Sequence, residues 1–387
     1  MFKQGFYLFI YLQINLLKNQ IVILNKKKQM LQQKNNFENI KEFLSSSLAS
    51  HQSITINCPS KISNEDFQDL SSALSKCCEL ITLNLYLGNK KNISDHIQNL
   101  FQNLVNCHNL QNLHVFLWNN EIGIKAISEL GICIQNFQAI KNLSLYLDNN
   151  SICDQGAKNL GDSIAKCKNL TNLTLSVAYN QITEQCPFNL CSPLANCQNL
   201  STLLITFDGN SIGDEGMLGL ASAIQNLVNL LDFLLDVGGN AIEDFGINAL
   251  CQSLTNCAKL SNLTFYLESN MIEASCEQNF CSILNSLIHI KTLKIYLDGC
   301  VINEEGAYQL GSALSKFMNL QDLQLSLRLN QINANGALRF SSALKRNQRL
   351  QSLFIELTQN QLNDELDLVL MRQFQKMIRL VQQQLLI

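Results

Sequence analysis

The sequence predicts an α/β solenoid, with a parallel β-sheet on its concave face and helices on its convex face. Three observations predict this fold class. A 30-residue unit recurs from about residue 51 to residue 365, and a fixed period of this length marks a repeat array. Each unit opens with apolar residues in strict alternation, and each closes with apolar residues at helical spacing. The array overrides the two or three globular domains that a length of 387 residues would suggest.

The alternating residues that open each unit predict a half-buried strand, as in Leu143, Leu145 and Leu147. An asparagine follows three residues later. Because an amide both donates and accepts hydrogen bonds, a column of asparagines can satisfy the backbone groups where the strands turn. The column comprises Asn120, Asn150, Asn180, Asn210, Asn240, Asn270, Asn330 and Asn360, with Cys300 as the one substitution in that series.

The second half of each unit predicts a turn and a helix. The turn is often Asp-x-Gly, as in Asp154 to Gly156, and we expect the aspartate to accept from unpaired N–H groups at the start of its own helix. Asp244-Phe245-Gly246 has the letters of a kinase magnesium motif but occupies this same turn, and no other kinase motif accompanies it. The apolar face of the predicted helix comprises Ala157, Leu160, Ile164, Cys167 and Leu170.

The complete unit resembles the leucine-rich repeat, whose pattern is L-x-x-L-x-L-x-x-N-x-L. Here it runs L-x-x-L-x-L-x-L-x-x-N-x-I, as in Leu170, Leu173, Leu175, Val177, Asn180 and Ile182. With its long helix and Asp-x-Gly turn, it is most similar to the ribonuclease-inhibitor-like subclass. The resemblance covers about 80% of the chain. It implies a horseshoe-shaped leucine-rich-repeat solenoid that recognises proteins, without indicating which ones.

We predict one solenoid over residues 37–387 with about eleven strands. Residues 37–80 are expected to form an N-terminal cap and a first irregular repeat, and residues 364–387 a C-terminal capping helix. Residues 1–36 are a poorly defined lead-in. Its apolar run at 5–17 leaves a signal or anchor segment open, although Gln13 and Asn15 interrupt it.

Of the 15 cysteines, five recur at one repeat position and are interpreted as core thiols. One repeat position holds Cys in some units and Leu227 or Phe317 in others, so it is an apolar site. The pairs Cys186 with Cys191 and Cys276 with Cys281 have zinc-like spacing, but three repeats separate them. We therefore expect no metal, no cofactor and a reduced, cytoplasmic protein. The recurring core position comprises Cys77, Cys107, Cys167, Cys197 and Cys257.

Outward-facing strand positions supply the candidate site. They carry an aromatic and acidic set on the concave face, and Tyr and Trp are enriched at binding hot spots. We predict a non-catalytic, monomeric scaffold that binds a protein or peptide bearing Lys or Arg. The net charge of −3 is too small to favour nucleic acid or a membrane. The predicted partner-binding residues are Tyr86, Phe116, Trp118, Tyr146, Asp148, Asp208, Asp236, Tyr266, Glu268, Tyr296 and Asp298.

Two alternatives stay open. Aromatic residues favour strands in any case, and acidic residues keep an exposed sheet soluble. A regulatory module such as a Ran-type GTPase activator would also have this repeat class. GTPase activation often uses an arginine, and this chain has none before Arg328, which disfavours that function. No catalytic residue is predicted.

Overall fold

The computed structural model describes residues 36–59, 61–90, 92–274, 287, 289–362, 369–370, 373 and 382–386. The chain divides into two compact units, residues 1–36 and 37–387. Everything described belongs to the second unit, apart from Asn36. The predicted lead-in, with its apolar run at 5–17, lies outside the described residues.

A single sheet runs the length of the described repeats, and its strand order follows the chain order. Consecutive strands from the second to the thirteenth pair in parallel, so that equivalent residues lie side by side, as Leu145 does with Leu175. The strands are β1 (Asn36–Phe37), β2 (Ser53–Asn57), β3 (Thr82–Tyr86), β4 (Asn112–Phe116), β5 (Asn142–Tyr146), β6 (Asn172–Ser176), β7 (Thr202–Thr206), β8 (Asp232–Asp236), β9 (Asn262–Tyr266), β10 (Thr292–Tyr296), β11 (Asp322–Ser326), β12 (Ser352–Glu356) and β13 (Gln382–Leu386).

Helices form a second layer behind the sheet, and the apolar core lies between the two layers. Leu145, Leu160 and Ile164 are fully buried there. The predicted helix between β9 and β10 falls at residues 275–286, outside the described residues. The described helices are α1 (Ile40–Leu44), α2 (Asn64–Leu74), α3 (Ile97–Leu104), α4 (Ile124–Ile134), α5 (Cys153–Ile164), α6 (Cys186–Cys191), α7 (Gly213–Ile224), α8 (Asp244–Leu254), α9 (Glu304–Ser315) and α10 (Ala334–Leu344).

The two ends differ from the sequence prediction. The sheet has thirteen described strands, where about eleven were predicted, and β1 and β13 are the additional ones. The predicted capping helix at 364–387 is wrong at Gln382–Leu386, which pairs as a strand with β12. The sequence QQQLL has no apolar alternation, so backbone pairing with the open edge of β12 decides its conformation. The described residues 369, 370 and 373 are helical, and the other residues from 363 to 381 lie outside the described part.

The asparagine ladder is confirmed. Asn180 is fully buried, and its Oδ1 accepts from the backbone N–H groups of Asn150 at 2.9 Å and Ile152 at 3.2 Å. Its Nδ2 donates to the carbonyl groups of Leu147 and Ala178. Each asparagine thus satisfies backbone groups of its own repeat and of the preceding one.

Cys300 occupies the ladder position in its repeat and replaces part of the amide's function. Its thiol donates to the carbonyl of Leu267 at a sulfur–oxygen distance of 3.4 Å. A thiol is a weak donor and a weak acceptor, so this hydrogen bond is weaker than the one that an asparagine amide makes at the same position.

The Asp-x-Gly turns work differently from the prediction that each aspartate caps its own helix. The described helices α5, α7 and α8 have no side-chain cap hydrogen bond. Asp154 instead accepts from the backbone N–H of Thr183, at 2.8 Å, in the following repeat. Likewise, Asp214 accepts from the backbone N–H of Glu243, and Asp244 accepts from that of Ala274. The in-register stacking places a backbone N–H group of the next repeat over the carboxylate, so these aspartates join repeats.

The interpretation of the recurring cysteine position as an apolar core site is confirmed, whereas Cys78 is exposed and Cys58 and Cys153 are only partly buried. Cys77, Cys107, Cys167, Cys197 and Cys257 are buried, and all the described cysteines are free. Burial raises the pKa of the Cys167 thiol to about 12, so it stays protonated at neutral pH. Cys276 and Cys281 lie outside the described residues. Within the described part of the chain, no helix is both long and apolar enough to cross a bilayer.

Candidate functional site

The predicted binding residues lie in two columns on the side of the sheet that points away from the helices. We call this the outer sheet face. The first column is the last residue of each strand, and the second is the residue two places later. Tyr146 and Asp148 show the pair in one repeat, and both are half-buried. The second column was expected within the strands, but each strand ends before it. Backbone pairing nevertheless continues past that end, from the Asn119 N–H to the Asp148 carbonyl at 2.9 Å.

The first aromatic stack consists of Tyr86, Phe116 and Tyr146 from β3, β4 and β5. Ring centroids are 4.3 Å apart for the first pair and 4.6 Å for the second, with planes within 4° of parallel. These separations match the spacing of paired strands, about 4.8 Å. Trp118 meets Phe116 edge-on at 5.7 Å and lies over Gly88, where an added Cβ would be 2.5 Å from the indole. The three stacked rings and Trp118 therefore form one continuous aromatic surface.

The second aromatic stack consists of Tyr266 and Tyr296 from β9 and β10. Their centroids are 4.6 Å apart and their planes differ by 7°. The Tyr296 hydroxyl donates to Oε1 of Gln324 at 3.3 Å. Between the stacks, β6, β7 and β8 carry the smaller residues Ser176, Thr206 and Asp236 in the first column. The face is thus low in the middle and raised on both sides.

Two carboxylates of the second column are fixed by the scaffold in the same way. Oδ1 of Asp148 accepts from the Ser176 hydroxyl and from the Ala178 backbone N–H, the latter at 3.1 Å. Oδ1 of Asp298 accepts from the Ser326 hydroxyl at 2.5 Å and from the Arg328 backbone N–H at 3.1 Å. Burial raises the pKa of both carboxyl groups, and these hydrogen bonds oppose the rise.

For each of the other three acids, the charge of a neighbouring acid adds to burial in raising the pKa. Burial raises the pKa of Asp208 to about 6, against the lowering effect of a hydrogen bond with Tyr179. Burial, followed by the charge of Asp208, holds the pKa of Asp236 well above its ordinary value. Glu268 is raised by burial and then by Asp236. The lowered middle of the outer sheet face is therefore a place where negative charges are crowded together.

Sequence reasoning missed Tyr179 as a member of this surface. Its ring lies over Gly209, where a Cβ would be 2.1 Å from the ring. Tyr179 has a φ of 54°, in the left-handed region that bulky residues rarely adopt. Other repeats place Asn149, Gly209 or Gly239 at this position, so a tyrosine there was a usable signal.

The described residues contain no group of three or more His, Cys, Asp or Glu side chains that could hold a metal ion. The acids are spread along the sheet by the strand spacing, and they do not converge on one point. The described geometry suits contact with an extended molecular surface.

No protein-family model matches the sequence, and no curated protein matches it either. Several solved structures do. An internalin (InlF) from Listeria monocytogenes str. 4b F2365 is 19% identical over 89% of this chain and 92% of that one, with a TM-score of 0.49. TLR13, in a complex with ssRNA13, is 17% identical over 81% of this chain and 37% of that one, with a TM-score of 0.47. Internalin C2 (InlC2) from the same Listeria strain is 20% identical over 66% and 83%, with a TM-score of 0.38.

The fold follows from the repeat geometry itself. The strands form an in-register parallel sheet, buried asparagines link each repeat to the next, and helices cover one side. This chain has the fold of a leucine-rich-repeat solenoid.

Proposed function

We propose that this protein is a non-catalytic binding module that uses the outer sheet face to hold a protein or peptide segment rich in Lys or Arg. The observation that carries the proposal is the presence of five carboxylates on the same side of the sheet as the two aromatic stacks, with Asp208 and Asp236 in the repeats between the stacks. Removing a partner's basic side chains from water would be offset by relief of the repulsion among these acids. Aromatic rings at the borders would add contact area.

The fold does not require these residues. Strand geometry is the same in repeats that carry Ser176, Thr206 or Ser326 in the first column. It is also the same where Ala178 or Gly238 fills the second column. Because small neutral residues occupy the same positions in other repeats, the strand geometry does not itself demand the aromatic and acidic set, which supports a role for that set outside the fold.

The experiment is an unbiased selection of peptides from a displayed library of random 16-residue sequences on the immobilised full-length protein. The expected result is enrichment of Lys and Arg among peptides whose binding is lost in a variant with Asp208→Asn and Asp236→Asn. The matched control carries Asp162→Asn and Glu305→Gln, which remove two carboxylates from the helix layer. Peptides that bind the outer-face variant as well as the native chain would contradict the proposal.

The finer assignments are part of the same proposal. The 30-residue period and Cys300 in the ladder support the ribonuclease-inhibitor-like subclass. Buried free thiols support a reducing compartment such as the cytoplasm. A monomer is expected, and sedimentation equilibrium of the full-length protein checks it.

A further inference from the structure

Each aromatic stack ends in a ring that, among the described residues, has no aromatic neighbour on its inner side. The rings stack along the direction in which strands succeed one another, so each ring's faces point to the neighbouring strands. Tyr146 is paired in register with Ser176 on β6, which is too small to cover its ring. Tyr266 is paired with Asp236 on β8. The two inner ring faces therefore look toward each other across the low middle of the sheet.

A carboxylate lies beside each inner ring face. The pKa of Tyr146 is raised to about 12 by burial and then by the charge of Asp148. The pKa of Tyr266 is raised by burial, by Tyr296, and then by Glu268 and Asp236. Asp148 is held in place by Ser176 and the Ala178 N–H. Each end of the depression thus combines a flat π surface with a nearby negative charge.

This combination suits one chemical group better than others. A guanidinium is planar, stacks on an aromatic face and can direct its N–H groups to an adjacent carboxylate at the same time. A lysine ammonium is a compact point charge and cannot stack in this way. A neutral side chain would leave the crowded carboxylates unrelieved.

The separation of the two ring faces is set by the sheet. Tyr146 is on β5 and Tyr266 is on β9, four strand steps apart, or about 19 Å at about 4.8 Å a step. An extended chain covers that distance in about six residues at about 3.3 Å each. Ser176, Thr206 and Asp236, the first-column residues between the faces, are all smaller than tyrosine and leave room for a chain to cross.

We propose that the inner faces of Tyr146 and Tyr266 are two arginine-binding positions, and that the partner segment crosses the sheet in extended form with two arginines about six residues apart. Asp148 serves the first guanidinium, and Asp236 with Glu268 serves the second. This inference rests on the proposed function and specifies the partner that the outer sheet face accepts.

The probe is a fluorescein-labelled synthetic peptide with two arginines separated by a Gly-Ser spacer of five residues, measured by fluorescence anisotropy. We expect it to bind at least about tenfold more tightly than peptides with one arginine, because the second contact becomes intramolecular. Peptides with two lysines in place of the arginines should bind no better than the single-arginine peptide.

Single substitutions to threonine, the residue at position 206 of the same column, test the two ring faces. Tyr146→Thr and Tyr266→Thr should each reduce binding of the two-arginine peptide to the single-arginine level. Phe188→Thr and Phe245→Thr remove exposed aromatic rings from the helix layer, and they should change binding less than twofold. The unique Trp118, in contact with Phe116, reports whether the first stack remains assembled.

Equal losses in all four variants, or equal binding of lysine and arginine peptides, would overturn the inference. The displayed-library selection separates it from the proposed function. Selected peptides that need Asp208 and Asp236 but lack an arginine pair at this spacing would leave the proposed function intact and end this inference. A selection without any peptide that depends on the outer sheet face would end both.

Discussion

The asparagine ladder and the acidic residues of the outer sheet face both recur along the repeats, yet they have opposite electrostatic consequences. An amide donates and accepts, so each added asparagine closes hydrogen bonds opened by its neighbour, as Asn180 does for Asn150 and Ile152. An ionised carboxylate only accepts, so each added aspartate increases repulsion, as Asp208 does for Asp236. Repetition therefore stabilises the asparagine ladder and destabilises the set of acidic residues. This is why the acidic residues call for a role outside the fold.

The largest expected effect is a loss of stability when the asparagine ladder is interrupted. Asn180→Ala leaves the buried N–H groups of Asn150 and Ile152 without an acceptor, and each buried orphan costs about 1–3 kcal/mol. We expect the free energy of unfolding to fall by about 3 kcal/mol. Urea-induced unfolding followed by circular dichroism measures it.

The chain supplies its own control for that substitution. Because Cys300 fills the ladder position in another repeat, Asn180→Cys should cost clearly less than Asn180→Ala. Equal destabilisation by the two variants would show that volume, and not hydrogen bonding, determines the role of the column.

An intermediate effect of opposite sign tests the acidic side. Because the pKa of Asp208 is about 6 in the folded protein and its ordinary value is 3.8, the folded state binds this proton more tightly than the unfolded state does. This group therefore lowers the stability of the protein as the pH rises from about 4 to above 6. Besides burial, the groups that act on it are Tyr179 and the Gly209 N–H, through hydrogen bonds that lower its pKa, and the charge of Asp148, which raises it.

Asp208→Asn should raise the free energy of unfolding at pH 7 by about 1 kcal/mol, after allowance for solvent screening, and by nothing at pH 4. Urea unfolding at a series of pH values checks this difference. The control is Asp162→Asn, which removes an exposed carboxylate paired with Lys158 at 3.0 Å and should change stability by less than about 0.5 kcal/mol. If the effect of Asp208→Asn on the free energy of unfolding did not depend on pH, ionisation of Asp208 would not be what destabilises the fold.

The smallest expected effect sharpens the description of the aromatic border. Gly88→Ala is compatible with the backbone, since Ala178 fills the same repeat position, but its Cβ would lie 2.5 Å from Trp118. The indole must move, at a cost of about 1 kcal/mol, and the emission spectrum of the only tryptophan should shift. Gly238→Ala, in the same column and away from Trp118, should leave the emission unchanged.

The regular part of the fold was predictable because one period sets every residue's direction. Once Leu143, Leu145 and Leu147 point to the core, Tyr146 must point away from it. The ladder position followed from the chemistry of the amide. The predicted site residues accordingly fall on one surface, while their role in binding stays a prediction.

The parts that were missed depend on contacts between repeats. The period alone does not reveal that Asp154 reaches Thr183 in the next repeat, since a helix cap and a bridge between repeats require the same residue type at the same place. Tyr179 lies against Gly209 one repeat away. The strand at Gln382–Leu386 has no pattern of its own and takes its conformation from β12.

The ladder also gives the array a direction. The backbone N–H groups of one repeat bind the asparagine of the next, so they depend on the neighbour toward the C-terminus. A break between two repeats would therefore produce unlike ends. The N-terminal piece would expose two N–H groups without acceptors, while the C-terminal piece would lose only one of the carbonyl partners of its first asparagine amide. Loss of structure after such a break should spread more readily toward the N-terminus than toward the C-terminus.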